Sequence, residues 1–218
     1  FRMTFSVAPG LYAAGNPDEN SDVLVTANYK MSFDKLRASL DGMNAWILVL
    51  DTAGINVWCA AGKGTFGTAE LLKRISASGI STILKHRKII IPQLGAPGIN
   101  SSEFRRKSGF TVLFGPVRAE DIGKYIRNGY RADEEMRRMK FGIKDRLILT
   151  PIELYMILPK LPYFILFVFI FFGLSPQGIM FREAWFNGYL FMAGGLLSVI
   201  AGAFITPVML PFIPFRAF

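Results

Sequence analysis

The only cysteine of the chain, Cys59, lies in the stretch GINVWCAAGKGTFGT, residues 54–68, between a tryptophan and two alanines. A lone cysteine cannot form a disulfide within its own chain. It is therefore either a small buried hydrophobic residue or a reactive group that binds a ligand. Asn56 is a favourable N-cap residue, and it predicts a short helix that begins at Val57 and has Cys59 in its first turn.

The residues around the sulfur help to decide whether Cys59 is a buried hydrophobic residue or a group that binds a ligand. Gly62 and Gly64 are predicted to end the short helix. A thiol in a first turn lies at the positive end of the helix dipole, which favours the thiolate, and Lys63 would add to the positive field. Trp58 and the two alanines would form a flat apolar surface around the sulfur. These features suit a large planar ligand with a metal at its centre, and an inert core cysteine is the open alternative.

The glycines after the cysteine raise the possibility of a nucleotide site. The string GKGTFG, residues 62–67, formally matches the dinucleotide pattern G-x-G-x-x-G, but it does not directly follow a strand and lacks the expected downstream acid. A P-loop is excluded because Gly64 stands where Ser or Thr should bind magnesium and Val57 stands where the first glycine belongs. Neither nucleotide interpretation is supported well.

Zinc binding and nucleophilic hydrolysis are two further kinds of chemistry that a cysteine can support. A zinc site is not favoured, because one Cys and one His cannot fill a four-ligand site without carboxylates. A hydrolytic pair of Cys59 and His86 is conceivable, but the context LKHRK favours a solvated turn residue for His86.

Strands and helices alternate along the polar part of the chain. We predict strands in DVLVTAN, AWILVLD, KIIIPQ and FTVLFGP. The predicted helices are SFDKLRASL with Ser32 as N-cap, TAELLKRISASG with Thr68 as N-cap and Gly79 as its end, and AEDIGKYIRNG ended by Gly129. This order predicts an α/β fold, a Rossmann-like, mostly parallel sheet with helices on both faces.

The loops that follow the predicted strands are rich in Gly, Pro and Asn. They are TANYK, DTAGINVWCAAGKG, PQLGAPGIN and GPVRAED. In parallel sheets, ligands bind on the loops at the carboxyl ends of the strands. We therefore expect a ligand at this edge of the sheet, with Cys59 close to it.

Charge divides the chain into three parts. Downstream of Leu161 the charged residues are Arg182, Glu183 and Arg216. We predict an α/β domain over residues 1–130, a basic amphipathic connector over 131–150, and a transmembrane region over 151–218 with one or two helices. Because the chain begins with Phe1 and ends in an apolar stretch, we interpret it as a piece of a longer protein.

The net charge of +9 has two explanations. It could indicate binding to nucleic acid, but the basic residues gather in EFRRKSG and in RADEEMRRMKFGIKDR, and the second stretch lies directly before the apolar region. Basic residues beside a membrane segment are expected on the cytoplasmic side. We predict a multi-pass protein of the cytoplasmic (inner) membrane, with the N-terminal domain in the cytoplasm and no nucleic-acid partner.

The segment NVWCAAGKG resembles the signature of the HgcA family, the corrinoid proteins of bacterial and archaeal mercury methylation. The likeness extends, in order, to VAPGLYAAGNP, VLVTANYKMSFD, AWILVLDTAGINVWCAAGKGTFGT, IIIPQLGAPGI and FGPVRAEDI. It covers essentially the whole polar domain and continues into the start of the apolar region. Shorter parts of the pattern are similar to the corrinoid iron–sulfur proteins of acetyl-CoA synthesis.

The resemblance implies a cofactor and a site. The α/β domain would bind a cobalamin-type corrinoid, and Cys59 would be the catalytic residue, bound to cobalt as its lower axial ligand. The segment NVWCAAGK, residues 56–63, would form a helix beneath the corrinoid, the cap helix, and the glycines of GKGTFG would let backbone approach the macrocycle. The cofactor-binding residues implied in this way are Asn56, Val57, Trp58, Cys59, Ala60, Ala61, Gly62, Lys63, Gly64 and Thr65.

The resemblance also implies an activity and partners. The protein would be a membrane-anchored corrinoid-dependent methyltransferase that transfers a methyl group from cobalt to Hg(II). A ferredoxin-like iron–sulfur protein, HgcB, would act as reductant, and the methyl group would come from a folate-linked carrier. HgcA proteins are expected to have more membrane helices than this chain offers, which truncation would explain.

Two other functions stay open at this stage. The first is a corrinoid methyl carrier of one-carbon metabolism with a different methyl acceptor. The second is a non-catalytic, membrane-tethered corrinoid-binding protein in which Cys59 is structural. A thiolate ligand donates more electron density to a metal than a neutral nitrogen base does, and this favours an electrophilic acceptor such as Hg(II).

Overall fold

The chain divides into two units, Phe1–Met139 and Lys140–Phe218. The computed structural model describes residues 5–139 and 142–212. The predicted connector, 131–150, is shared between the two units. Met136 is buried in the core of the first unit, whereas a helix of the second unit begins at Ile143.

The first unit is built on a five-stranded sheet. Its strands are β1 (Gly10–Ala14), β2 (Asp22–Ala27), β3 (Ala45–Leu50), β4 (Lys88–Ile91) and β5 (Thr111–Phe114). The strand order is β1-β3-β2-β4-β5, in which β1 is antiparallel to β3 and the other pairs are parallel. The predicted α/β fold with a mostly parallel sheet is confirmed.

Helices cover both faces of this sheet, as predicted. They are α1 (Lys30–Ser39), α2 (Val57–Lys63), α3 (Thr68–Ser78), α4 (Ile80–Ile83), α5 (Ser101–Ser108), α6 (Ile122–Arg127) and α7 (Glu134–Arg137). Short 3₁₀ turns occupy Gln93–Gly98 and Ala119–Asp121.

Alternate residues of each strand point to opposite faces of a sheet, and two hydrophobic cores result. In one core, Leu48 and Leu50 of β3 pack with α2, α3 and α5. In the other, Ile47 and Val49 of the same strand pack with α1 and α6. The continuous apolar run of β3 is thus explained by burial on both faces.

Two predicted helix starts are wrong by one to three positions. The N-cap of α1 is Tyr29, and Ser32 lies inside the helix, where its N–H donates to the carbonyl of Tyr29. Gly67 is the N-cap of α3, and Thr68 is the first helical residue. The Thr68 hydroxyl accepts a hydrogen bond from the N–H of Asn100 instead of capping its own helix.

The ends of the helices follow the sequence more closely. Gly79 is the left-handed C-cap of α3, with φ of 63°, and Gly129, with φ of 67°, follows the C-cap of α6. The left-handed region is readily accessible to glycine because it has no Cβ. Both predicted glycine stops are confirmed.

The second unit is helical. Its helices are α8 (Ile143–Ile157), α9 (Leu161–Gly173), α10 (Phe181–Ile200) and α11 (Thr206–Met209). A 3₁₀ turn, Leu158–Lys160, joins α8 to α9, and a five-residue π-helical stretch, Ala201–Ile205, joins α10 to α11. Between α9 and α10 the chain turns through two short antiparallel strands, β6 (Leu174–Ser175) and β7 (Gly178–Ile179).

Two segments of this unit are long and apolar enough to cross a membrane. They are Leu154–Gly173 and Phe181–Met209, with mean hydropathies of 2.0 and 1.9. A span of the hydrocarbon core needs about 20 residues. The apolar run that starts at Leu161 reaches this length because the helical path extends upstream through Lys160.

Candidate functional site

The cysteine lies in a capped helix, as the sequence predicts. The side-chain oxygen of Asn56 accepts a hydrogen bond from the N–H of Cys59, with a donor–acceptor distance of 2.9 Å. At the other end Gly64 has φ of 80° and its N–H donates to the carbonyl of Ala61. Gly62 does not end the helix: it lies inside α2, and only Gly64 is the C-cap.

The cap helix is α2 (Val57–Lys63), and it has a buried side and an open side. Val57, Ala60 and Ala61 are buried in the core of the first unit. On the opposite side, Trp58 is 68% exposed, Gly62 and Lys63 are exposed, and Cys59 is half-buried. Residues three or four positions apart lie on the same side of a helix. The open side therefore presents the thiol of Cys59 next to a glycine and a lysine.

Nothing inside the described protein requires a glycine at position 62. A Cβ placed on Gly62 would meet no atom of the described residues within 4 Å, its own helix backbone excepted. A glycine in a helix interior costs about 1 kcal/mol relative to alanine. The open space beside the thiol is the kind of surface that a flat ligand can approach closely.

The neighbouring glycines have internal reasons. A Cβ on Gly67 would lie 2.8 Å from the carbonyl oxygen of Gly64, and Gly64 itself needs the left-handed conformation. The expectation that the glycines of GKGTFG serve the approach of backbone to a ligand is consistent with Gly62 only. Gly64 and Gly67 are explained by helix ending and close chain packing.

The cap helix rests on a turn that follows β4. The turn Gln93–Gly98 packs against α2, and a Cβ on Gly98 would lie 2.0 Å from the carbonyl oxygen of Phe66 and 3.4 Å from Cα of Ala61. Gly95 similarly lies against the ring of Phe66, which is fully buried. These contacts fix the buried side of the cap helix.

This position coincides with the switch point of the sheet. Successive connections run from β2 to β3 on one side and then to β4 on the other side of β2. In open α/β sheets ligands bind outside the carboxyl ends of the strands at such a point. The cap helix contacts both β2 and the turn after β4, so Cys59 lies at the expected edge.

The remaining predicted site residue, Thr65, lies just beyond the C-cap. Its hydroxyl donates to the carbonyl of Ala60 at 3.4 Å, so its side chain helps to close the end of the helix. The ten predicted residues thus form one continuous element. Of the residues of α2, Trp58, Cys59, Gly62 and Lys63 line its open side, and Gly64 is exposed at its C-cap.

His86 is not a partner of Cys59. It precedes β4, and its Nε2 lies 3.0 Å from the carbonyl oxygen of Ser21 at the amino end of β2. His86 therefore lies at the amino ends of the strands and Cys59 at their carboxyl ends. The length of a four-residue strand, about 13 Å, separates these two ends. Among residues 5–139 and 142–212, moreover, the structure contains no group of three His, Cys, Asp or Glu side chains that could hold a metal ion.

The fold and the site define a class: an α/β domain with a cysteine-bearing cap helix at the switch point of its sheet. Comparison with known proteins makes this assignment narrower. The family model "CO dehydrogenase/acetyl-CoA synthase delta subunit" (CdhD) matches residues 2–126. Because the match covers more than half of the chain, the chain belongs to this family.

Curated relatives agree with the family. The chain is 34% identical over 131 residues to the acetyl-CoA decarbonylase/synthase complex subunit gamma of Methanocaldococcus jannaschii, and the match covers 59% of this chain and 26% of the relative. It is 32% identical over 123 residues to the same subunit of Methanopyrus kandleri, covering 55% and 26% of the two chains.

A third relative, the gamma subunit of Methanothermobacter thermautotrophicus, is 32% identical over 127 residues, which are 57% of this chain and 27% of the relative. The chain therefore spans about a quarter of the length of these relatives. The predicted relationship to the corrinoid proteins of acetyl-CoA synthesis is supported at the level of the family. None of these three relatives is named as a mercury-methylation protein.

Proposed function

We propose that the first unit binds a corrinoid over the open side of the cap helix and takes part in corrinoid-dependent methyl transfer. The observation that carries this proposal is the pairing of Cys59 with Gly62 on one open helix face, at the ligand-binding edge of the sheet. Membership in the CdhD family supports it independently.

Each residue of the open side has a role in this proposal. Cys59 would be the lower axial ligand of cobalt, held in place by the hydrogen bond from its N–H to Asn56. Gly62 would allow the macrocycle to lie close to the helix. Trp58 would contribute an apolar surface and Lys63 a positive charge that favours the thiolate form of Cys59.

When bound, the corrinoid supplies a cobalt centre that can take up and release a methyl group. The protein would contribute the sulfur of Cys59 as a ligand, orient the macrocycle and exclude water from the side that faces the cap helix. A thiolate ligand from Cys59 would donate electron density to the cobalt and so favour transfer of a methyl group together with its electron pair.

Two functions, mercury methylation and methyl transfer in one-carbon metabolism, are supported by different observations. Hg(II) is an electrophile that accepts a methyl group with its electron pair, and the cysteine of the cap helix, together with the likeness of NVWCAAGKG to the HgcA family, supports this acceptor. A methyl carrier of one-carbon metabolism is supported by the curated relatives, which are subunits of acetyl-CoA decarbonylase/synthase complexes. The comparisons favour the methyl carrier of one-carbon metabolism more directly than mercury methylation.

Partners and location follow from the same proposal. Each methyl group that leaves with its electron pair requires two electrons to be replaced, and a ferredoxin-like protein such as HgcB would supply them. A folate-linked donor would supply the methyl group. We also propose that segments Leu154–Gly173 and Phe181–Met209 anchor the protein in the cytoplasmic membrane. The basic residues at 131–146 would keep the first unit on the cytoplasmic side.

A single assay separates the acceptors. The full chain is loaded with corrinoid, reduced, and supplied with methyltetrahydrofolate and Hg(II), and methylmercury is measured by mass spectrometry, with Cys59→Ala as control. Methylmercury that depends on Cys59 supports mercury methylation. Corrinoid methylation from the folate without methylmercury supports the methyl carrier. If the protein accepts no methyl group at all, the proposal of methyl transfer is wrong.

A further inference from the structure

Asn28 lies at the carboxyl end of β2, and its side chain forms hydrogen bonds to the loop that follows β3. The residue is only 5% exposed. Its Oδ1 accepts hydrogen bonds from the N–H of Thr52 at 3.0 Å and from the N–H of Gly54 at 2.9 Å. Its Nδ2 lies 3.3 Å from Oδ1 of Asp51. One buried amide therefore binds three residues of the loop that leads to the cap helix.

That loop contains an uncommon backbone conformation. Ala53 and Gly54 are both left-handed, with φ of 56° and 71°. A left-handed alanine is unfavourable because its Cβ crowds the backbone, so such a turn persists only where its surroundings hold it. The N–H of Gly54 bonds to Asn28, and the N–H of Ala53 bonds to Asp51 at 3.1 Å. Both hydrogen bonds depend on side chains at the ends of neighbouring strands.

The buried hydroxyl of Thr52 carries this restraint to the start of the cap helix. It lies 2.7 Å from Oδ1 of Asn28 and 2.7 Å from the carbonyl oxygen of Ile55, and it can donate to either oxygen. The N–H of Ile55 donates to the carbonyl of Thr52 at 3.2 Å. The residue after Ile55 is Asn56, the N-cap whose side chain binds the N–H of Cys59.

We infer that Asn28 is a positioning residue for Cys59: its buried amide locks the Ala53–Gly54 turn and so sets where the cap helix begins. The inference rests on the proposed function as far as the corrinoid is concerned. The restraint on the thiol exists without any ligand and can be measured separately. The side-chain hydrogen bonds given above for Asn28 go to the loop residues Asp51, Thr52 and Gly54.

The first measurement uses the full chain without corrinoid. The rate at which iodoacetamide alkylates the thiol of Cys59 is compared between the wild type and Asn28→Leu, a substitution of similar size that leaves the donors of the loop unsatisfied. We expect alkylation to become about tenfold faster, because Cys59 is half-buried while the start of the cap helix is held and becomes more exposed when that start is released. An unchanged rate in folded Asn28→Leu overturns the inference.

Two further variants keep the test decisive. Thr52→Val removes only the bridging hydroxyl, and we expect a smaller acceleration in the same direction; this variant decides the question if Asn28→Leu does not fold. Tyr130→Phe is the matched control, because it removes a hydrogen bond of 2.9 Å to Asp22 at the opposite edge of the sheet. Equal acceleration in Tyr130→Phe would mean general loosening and would contradict a specific role of Asn28.

The second measurement uses the corrinoid-loaded chain. We expect Asn28→Leu to bind corrinoid with a visible spectrum that has lost the cobalt–thiolate features of the wild type. A wild-type spectrum in the variant would refute the positioning role while leaving the proposed function intact. If the wild type itself shows no cobalt–thiolate spectrum, the proposed function fails, and the alkylation rates still decide the role of Asn28.

Discussion

At the scale of single residues, the site depends on the small size of several side chains in the cap helix as well as on the thiol of Cys59. Cys59 supplies the only thiol of the chain, and Gly62 supplies open space on the same side. The buried alanines let the helix pack closely on the core. A small thiol-bearing surface results, and it would be lost if any large side chain stood at position 62.

Substitution of Gly62 separates stability from binding. We expect Gly62→Ala to raise the free energy of unfolding by up to about 1 kcal/mol, because alanine is the better helix former and its methyl group meets no neighbour. The same variant should bind corrinoid about tenfold more weakly, and Gly62→Leu more weakly still. Urea unfolding and a corrinoid titration followed by absorbance measure the two effects. Unchanged affinity in Gly62→Leu would show that the ligand does not lie on this side.

The residue scale was partly accessible from the sequence. The Asn56 cap and the first-turn position of Cys59 follow from the local order of residue types, and both are confirmed. The different roles of Gly62, Gly64 and Gly67 could not be predicted, because the string GKGTFG does not reveal which glycine faces a neighbouring carbonyl and which faces open space. Asn28 was missed because its partners are distant in sequence.

At the scale of elements, the cap helix is held between β2 and the turn Gln93–Gly98. The turn follows β4, the strand that lies across the switch point from β3. Its glycines allow the backbone of the turn to lie against Phe66 and Ala61. The position of Cys59 therefore depends on a segment far from it in the sequence.

Gly98→Ala tests this support. The added Cβ would lie 2.0 Å from the carbonyl oxygen of Phe66, so the turn or the cap helix must move. We expect a loss of about 1–3 kcal/mol in the free energy of unfolding, as for overpacked cores, together with faster alkylation of Cys59. Gly10→Ala is the control, since its Cβ meets no described atom within 4 Å. Equal effects of both variants would contradict a role for the turn.

A pH-dependent contact ties the end of the first unit to its sheet. Burial, and then the hydrogen bond to Asp22, raise the pKa of Tyr130 to about 12. Because the folded pKa lies above the usual value of 10.0, the stabilisation is complete below pH about 10 and is lost as the pH rises towards 12. We expect the stability difference between wild type and Tyr130→Phe, measured by urea unfolding, to shrink over this window. A difference that does not change with pH would contradict the account.

Most elements of the first unit were predictable because their apolar residues recur with a clear period. The strands β2 to β5 and the helices α1, α3 and α6 are found where the pattern places them. Strand β1 and helix α5 were not predicted from the sequence. The first is a short edge strand of intermediate burial, and the second has a single buried residue, Phe104, among polar ones, so neither has a marked periodicity.

At the scale of the whole molecule, a polar α/β unit and an apolar helical unit share one chain. The helices α9 and α10 of the second unit pack closely through small residues. A Cβ on Gly188 would lie 2.8 Å from Cγ1 of Val168, and one on Gly195 would lie 2.6 Å from Cζ of Phe164. Small residues at helix contacts are typical of membrane helix pairs.

Two glycines of α10 make a matched pair for testing this packing. We expect Gly188→Leu to separate α9 from α10 and to lower the thermal unfolding midpoint of the chain in detergent micelles. Gly194→Leu should have little effect, because its Cβ meets no described atom within 4 Å. Melting curves of the two variants provide the comparison. A lower midpoint for Gly194→Leu than for Gly188→Leu would contradict the arrangement of this helix pair.

The most direct test of the central claim is the visible absorption spectrum of the full chain loaded with corrinoid, compared with Cys59→Ala and Cys59→His. We predict cobalt–thiolate features in the wild type, their loss in Cys59→Ala, and a nitrogen-ligated spectrum in Cys59→His. Three coincident spectra, or no binding of corrinoid by the wild type, would show that Cys59 is not the axial ligand and is a structural residue of the cap helix.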